Sequence, residues 1–138
     1  MLALRRLLDR FRRRPRSHLD TGRDAEHRAA RHLEAHGYRI LARNLRLRGG
    51  EVDIVALDPA GTLVIVEVKA GVANPASLPP EVHVDRRKQE QLTRLAPRVA
   101  RKLRMTRRRI RFDVVAVEYI PGREPLLRHH VDAFRSRV

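Results

Sequence analysis

Glu67-Val68-Lys69 closes the apolar run Leu63-Val64-Ile65-Val66, and Asp53 lies fourteen residues upstream inside a similar run. Taking a carboxylate out of water is costly unless a cation or a metal compensates it, so charges at these places need a reason. Two acids and a lysine converging at strand ends suit a metal-dependent hydrolytic site. The competing reading is a plain ion-pair cluster in which Lys69 bridges Glu67 and Asp53 without a metal or a reaction.

Lysine is scarce in this chain. Lys69, Lys88 and Lys102 are the only lysines among 31 basic residues. Where any cation would serve, the chain uses arginine, so a lysine on an apolar strand marks a place that calls for a compact ammonium rather than a planar fork.

The elements that must position these groups follow from hydropathy period and turn chemistry. Thr21 can cap a helix over residues 21–36 whose Ala25, Ala29, Ala30 and Leu33 recur at helical spacing, with Gly37 as its stop. Residues 38–47 alternate as a strand with one wet face, and Gly49-Gly50 turns the chain into a second strand over 51–57. The turn Asp58-Pro59-Ala60-Gly61 leads into a third strand over 62–69. Residues 70–80, with Gly71, Pro75, Pro79 and Pro80, read as an irregular mobile loop.

Asp85 caps a second helix whose buried stripe is Leu92, Leu95, Val99 and Leu103, with Pro97 predicting a kink or two shorter helices. Strands over 110–120 and 126–130 complete the order αβββαββ, a mixed α/β (α+β) domain with a central mixed sheet flanked by helices. It spans residues 20–138, after a basic arm over 1–19 that could lie on nucleic acid or a membrane surface.

Paired residue numbers in an antiparallel hairpin have a constant sum, and the 58–61 turn permits a sum of about 120. That register sets Asp53 opposite Glu67 and Glu51 opposite Lys69. The other face then carries Val52, Ile54, Ala56, Val64, Val66 and Val68, as packing beneath a helix demands. A slip of one residue would scatter the charges. Close carboxylates raise each other's proton affinity, and magnesium, or manganese in its place, is the simplest counterion that keeps both ionised.

The net charge of +15 predicts attraction to a polyanion, with nucleic acid as the leading partner and an anionic membrane surface as a lesser competitor. Arg43, Arg46, Arg48, Arg86, Arg87 and Lys88 are the candidate backbone contacts. Aromatic residues are few, which points to recognition of backbone and shape rather than of stacked bases. His32 and His36 share a helix face without the carboxylate of a zinc-protease motif and read as a solvated face. Absence of cysteine excludes thiolate-bound metals and fits a reducing, cytoplasmic setting. No apolar stretch is long enough to span a bilayer, and no signal peptide is evident.

The chain resembles the UPF0102 (YraN-like) family, itself similar to the PD-(D/E)XK nuclease superfamily and its Holliday-junction-resolvase-like branch. The resemblance covers residues 20–134. It rests on Gly22-x-x-x-Glu26, Gly37-Tyr38, Arg43-Asn44, Gly50-Glu51-Val52-Asp53, Val66-Glu67-Val68-Lys69, Arg87-Lys88-Gln89, Arg111-Phe112-Asp113-Val114-Val115 and His130-Val131-Asp132-Ala133-Phe134.

The resemblance implies a restriction-endonuclease-like core and a magnesium-dependent endonuclease cutting DNA, with structured or branched DNA as a candidate substrate. It makes Asp53 and Glu67 metal ligands, Lys69 the catalytic lysine and Glu26 a helical acid brought to the metal. Glu51 and Gln89 are secondary candidates, and a homodimer is left open. Val52 stands where the superfamily name has proline, and Ala70-Gly71 where the family usually has threonine or valine followed by arginine. Fold alone does not establish chemistry, so a non-catalytic nucleic-acid-binding adaptor is the alternative.

Overall fold

A computed structural model describes residues 18–135, so almost all of the expected basic arm lies outside the described residues. Helix α1 (His18–Ala35) leads into strands β1 (Arg39–Leu47), β2 (Gly50–Leu57) and β3 (Leu63–Val72). A short 3-10 turn (Pro80–His83) and helix α2 (Arg86–Lys102) follow, then β4 (Ile110–Tyr119) and β5 (Leu126–Phe134). The expected order αβββαββ is therefore present.

The five strands form one mixed sheet in the order β1-β2-β3-β4-β5. Only β3 and β4 run parallel, because α2 carries the chain across the sheet between them. Leu63, Val64, Ile65 and Val66 are all fully buried, as expected of a central strand covered on both faces. Ile54, Ala56, Val64 and Val66 pack with Ala25, Ala29 and Leu33 of α1, while Val55, Leu63 and Ile65 pack with Leu92, Leu95 and Val99 of α2.

The structure corrects several boundaries. Helix α1 already includes His18, so Thr21 lies within it rather than capping it; the burial of Ala25, Ala29 and Leu33 offsets the helix cost of Gly22. Strand β3 runs on to Val72, through residues expected to be irregular, because β4 offers partners as far as Tyr119. Gly71 is suited to that strand, since a Cβ there would come within 2.7 Å of Pro80. Helix α2 is continuous despite Pro97. Buried Leu92, Leu95 and Val99 hold both sides of the proline, and the Thr93 hydroxyl donates to the Gln89 carbonyl at 2.8 Å.

Strand β5 extends past His130 to Phe134, which stacks on Phe112 with ring centroids 4.9 Å apart. Its residue His129 lies 3.3 Å from His32, ring nitrogen to ring nitrogen, so His32 is half-buried rather than on a solvated face. Asp113, fully buried on β4, ties this edge together. Arg111 donates to both of its oxygens at 2.9 and 3.0 Å, His129 meets Oδ2 at 2.8 Å, and the Asp132 amide donates to Oδ1 at 3.0 Å. Arg111 also reaches Asp58 at 2.7 Å and the Tyr38 hydroxyl at 2.8 Å.

Candidate functional site

The β2–β3 pairing follows the expected register, with Ile54 opposite Val66, Val55 opposite Ile65 and Ala56 opposite Val64. The ladder stops there, one residue short of Asp53 and Glu67. Asp53 replaces it with its own side chain, whose Oδ2 accepts the Val68 amide at 2.8 Å. A carboxylate thus occupies the seam where two strands part, held by a backbone donor, with the β3 residues Glu67 and Lys69 on either side of that donor.

Glu67 is only 3% exposed. Its Oε1 lies 3.5 Å from the Lys69 ammonium and 3.7 Å from that of Lys88, which enters from the first turn of α2. Its Oε2 is buried without a hydrogen-bond partner. Burial, then the neighbouring Asp53 charge, push the Glu67 carboxyl up to about 7 against the pull of the two lysines. Burial also raises Asp53, opposed first by the Val68 amide and then by Lys88.

Two of the three lysines in the chain therefore meet at one carboxylate. The rarity of lysine, which singles out Lys69 in the sequence, points equally to Lys88, and so does the helical period, since Lys88 precedes Leu92, Leu95 and Val99 by four, seven and eleven residues and shares their inward stripe rather than the exposed side of Arg87. Asp85 explains its orientation, since its side chain accepts the Lys88 amide at 2.9 Å and starts α2 beside β3.

Glu51 does not oppose Lys69. It pairs with Arg46 across β1–β2 and meets that side chain at 3.2 Å, because the β2–β3 ladder ends before reaching it. Val52 likewise joins the α2 layer rather than the Ile54 face, in keeping with the break at Asp53 and the positive φ of 50° at Asn44. Gln89 donates to the Val84 carbonyl at 3.1 Å and so steadies the entry to α2. Arg43, Arg46, Arg48, Arg86 and Arg87 are exposed, with Arg86 paired to Glu90 at 3.3 Å.

Glu26 on α1 is near enough to feel the Asp53 charge; burial chiefly raises its carboxyl, and a side-chain hydrogen bond with Asn44 opposes this. Among the described residues no group of three or more acidic or histidine side chains is close enough to form a ready cage. What exists is a pair of carboxylates with one buried oxygen lacking a partner. That donor set fits magnesium or manganese, hard cations commonly held by one or two protein carboxylates with water and phosphate oxygens.

The raised Glu67 carboxyl has a consequence for stability. A folded-state value of about 7 against an ordinary 4.5 means that the folded chain binds more protons in that window, so stability is lost as pH rises through it. Glu67→Gln, with cation absent, is expected to remove this loss and to be up to about 3 kcal/mol more stable than the parent at pH 8. The advantage should vanish near pH 4, as read from urea unfolding at the two values.

The family profile and the related sequences agree with the motif pattern. The profile of the "Uncharacterised protein family UPF0102" matches residues 25–117. A UPF0102 protein of Trichlorobacter lovleyi is 45% identical over 79% of this chain and 85% of its own length. One of Geobacter metallireducens is 40% identical over 82% and 90%. Among solved structures, one titled as a repair endonuclease from Pyrococcus abyssi aligns with a TM-score of 0.46 at 16% identity, covering 83% of this chain and 50% of that one.

Proposed function

The chain belongs to the UPF0102 family, and from that premise and the geometry of its acid–lysine cluster we propose that it is a magnesium- or manganese-dependent endonuclease that hydrolyses phosphodiester bonds in DNA. The observation that carries the proposal is the close pair of buried carboxylates, Glu67 and Asp53, in which no N–H donor reaches Glu67 Oε2 and two ammonium groups stand on the opposite oxygen. A purely structural ion-pair cluster gains nothing from leaving an acceptor buried without a donor.

Asp53 and Glu67 would hold the cation, with Glu26 as a further acid. Bound there, it would acidify a water and stabilise charge developing on the scissile phosphate. Lys69 and Lys88 keep fixed positive charge beside Glu67 and would offset the negative charge of an incoming phosphate. The Val68 amide fixes Asp53 before substrate arrives, so little reorganisation is needed on binding.

The second reading, a nucleic-acid adaptor that keeps this fold without turnover, draws on the absence of a three-acid cage among the described residues. Calorimetric titration with magnesium and manganese separates the two. Saturable binding to the parent chain that is lost in Asp53→Asn supports the enzyme. Equal heats from both chains, together with intact labelled duplex, flap and four-way DNA after incubation with either metal, leave only the adaptor.

A further inference from the structure

The two helices that cover the sheet differ sharply in charge. Helix α1 carries Asp20, Asp24, Glu26 and Glu34 against Arg23, Arg28 and Arg31. Helix α2 carries seven basic residues and a single acid, Glu90, and the turn after it adds Arg104, Arg107, Arg108 and Arg109 without any acid. The positive excess of the described chain is thus concentrated on one layer.

Within α2 the charges are also aligned. Arg87, Arg94, Arg98 and Arg101 are all exposed and fall within about 60° of one another around the helix, forming a stripe about 21 Å long. Among the described residues, none of these four has an acidic partner. The stripe begins one residue before Lys88, whose side chain turns inward to Glu67. The β1–β2 turn is fastened to the same surface, with Gln91 donating to the Gly49 carbonyl at 3.1 Å and Arg98 to that of Arg48. Gly50 lies so close that a Cβ there would meet Gln91 at 2.6 Å.

We propose that the exposed face of α2, together with the fastened β1–β2 turn, is a cradle for the phosphate backbone of duplex nucleic acid, holding one arm of the substrate along the helix and away from the acid–lysine cluster. This rests on the nuclease reading and adds to it the contacts made by Arg94, Arg98 and Arg101. Arginine forks suit phosphate oxygens, and a helix held by a fastened turn presents them without any ordering of the backbone.

A membrane surface is a poorer fit. A helix lying on lipid inserts an apolar face, whereas Leu92, Leu95 and Val99 are buried in the core and none of the large exposed apolar side chains of the described residues is on α2. Single strands are usually gripped by aromatic stacking, and no aromatic residue occurs on α2 or in the β1–β2 turn.

The test compares the full chain, the triple variant Arg87→Ala, Arg94→Ala, Arg101→Ala, and a control of equal charge, Arg23→Ala, Arg31→Ala, Arg39→Ala. Binding to a labelled duplex, to a single strand of the same length and to phosphatidylserine vesicles is measured in chelator across a salt series. On duplex, the α2 variant is expected to bind at least about tenfold more weakly and to lose about two to three units of salt slope, with the control changing less than about threefold.

Equal losses in variant and control on duplex that the parent chain binds would overturn the cradle alone. So would equal losses on duplex and single strand, or vesicle binding tighter than duplex binding and dependent on the same arginines. A parent chain that binds neither duplex nor single strand defeats the nuclease reading beneath it.

Discussion

Asp53→Asn is expected to lower metal-dependent cleavage by at least about a thousandfold, equivalent to about 4 kcal/mol of transition-state stabilisation, and to abolish saturable metal binding. Asparagine retains a side-chain oxygen for the Val68 amide, which Asp53 accepts at 2.8 Å, so the strands should stay parted as they are. Lys69→Met should reduce cleavage to a similar degree while metal still binds, because it removes an ammonium and neither carboxylate. The two variants together separate holding the cation from stabilising the phosphate. Duplex binding in chelator should change less than about threefold in both, since the backbone contacts lie on other residues. Cleavage that survives both substitutions would end the assignment of this cluster as the active site.

The hairpin register was legible because two constraints agreed. The 58–61 turn limited the sum of paired residues, and only one register placed Ile54, Ala56, Val64 and Val66 together on the face that α1 covers. The end of the ladder was not legible. Nothing in an alternating pattern shows that Asp53 will take the Val68 amide as a hydrogen-bond partner, and that single substitution of side chain for backbone sends Val52 to the other layer and Glu51 to Arg46. Local propensity was overridden elsewhere by tertiary pairing. Ala70-Gly71 reads as loop, yet β4 offers partners to it, and Pro97 reads as a break, yet buried neighbours on both sides keep α2 whole.

Lys88 shows a different limit. Taken as one of the basic run Arg86-Arg87-Lys88 it reads as a phosphate contact, although the helical period sets it on the inward stripe of Leu92, Leu95 and Val99, from which a side chain in the first turn reaches Glu67. Composition points the same way. In a chain that otherwise uses arginine, two of three lysines stand at Glu67, where a buried acceptor favours a small ammonium that brings no planar group needing further partners.

Asp113→Ala is expected to cost about 3–5 kcal/mol, a large share of the stability of a domain this size, with the midpoint of urea unfolding falling accordingly. The substitution leaves the Arg111 guanidinium, half-buried among Asp58 and Tyr38, without the carboxylate that takes two of its donors, and strands the His129 ring and the Asp132 amide as well. Arg111→Met in the same chain should recover part of the loss, because a missing pair is less harmful than a lone buried charge. The pH dependence identifies the cause. Burial raises Asp113, but the His129, Arg111 and Asp132 hydrogen bonds outweigh it and hold the carboxyl below its usual value. Its contribution is therefore present above the ordinary aspartate range and lost as pH falls through the lower folded value, so Asp113→Asn should flatten the acid limb of the stability curve. His32 adds a limb of its own at higher pH. Burial, then His36 and His129, lower its pKa, so the unfolded chain binds the proton more readily and stability declines as pH drops through the histidine range. His32→Gln should remove that limb and leave the acid one, and an acid limb unchanged in Asp113→Asn would show that this network does not hold the β4–β5 edge.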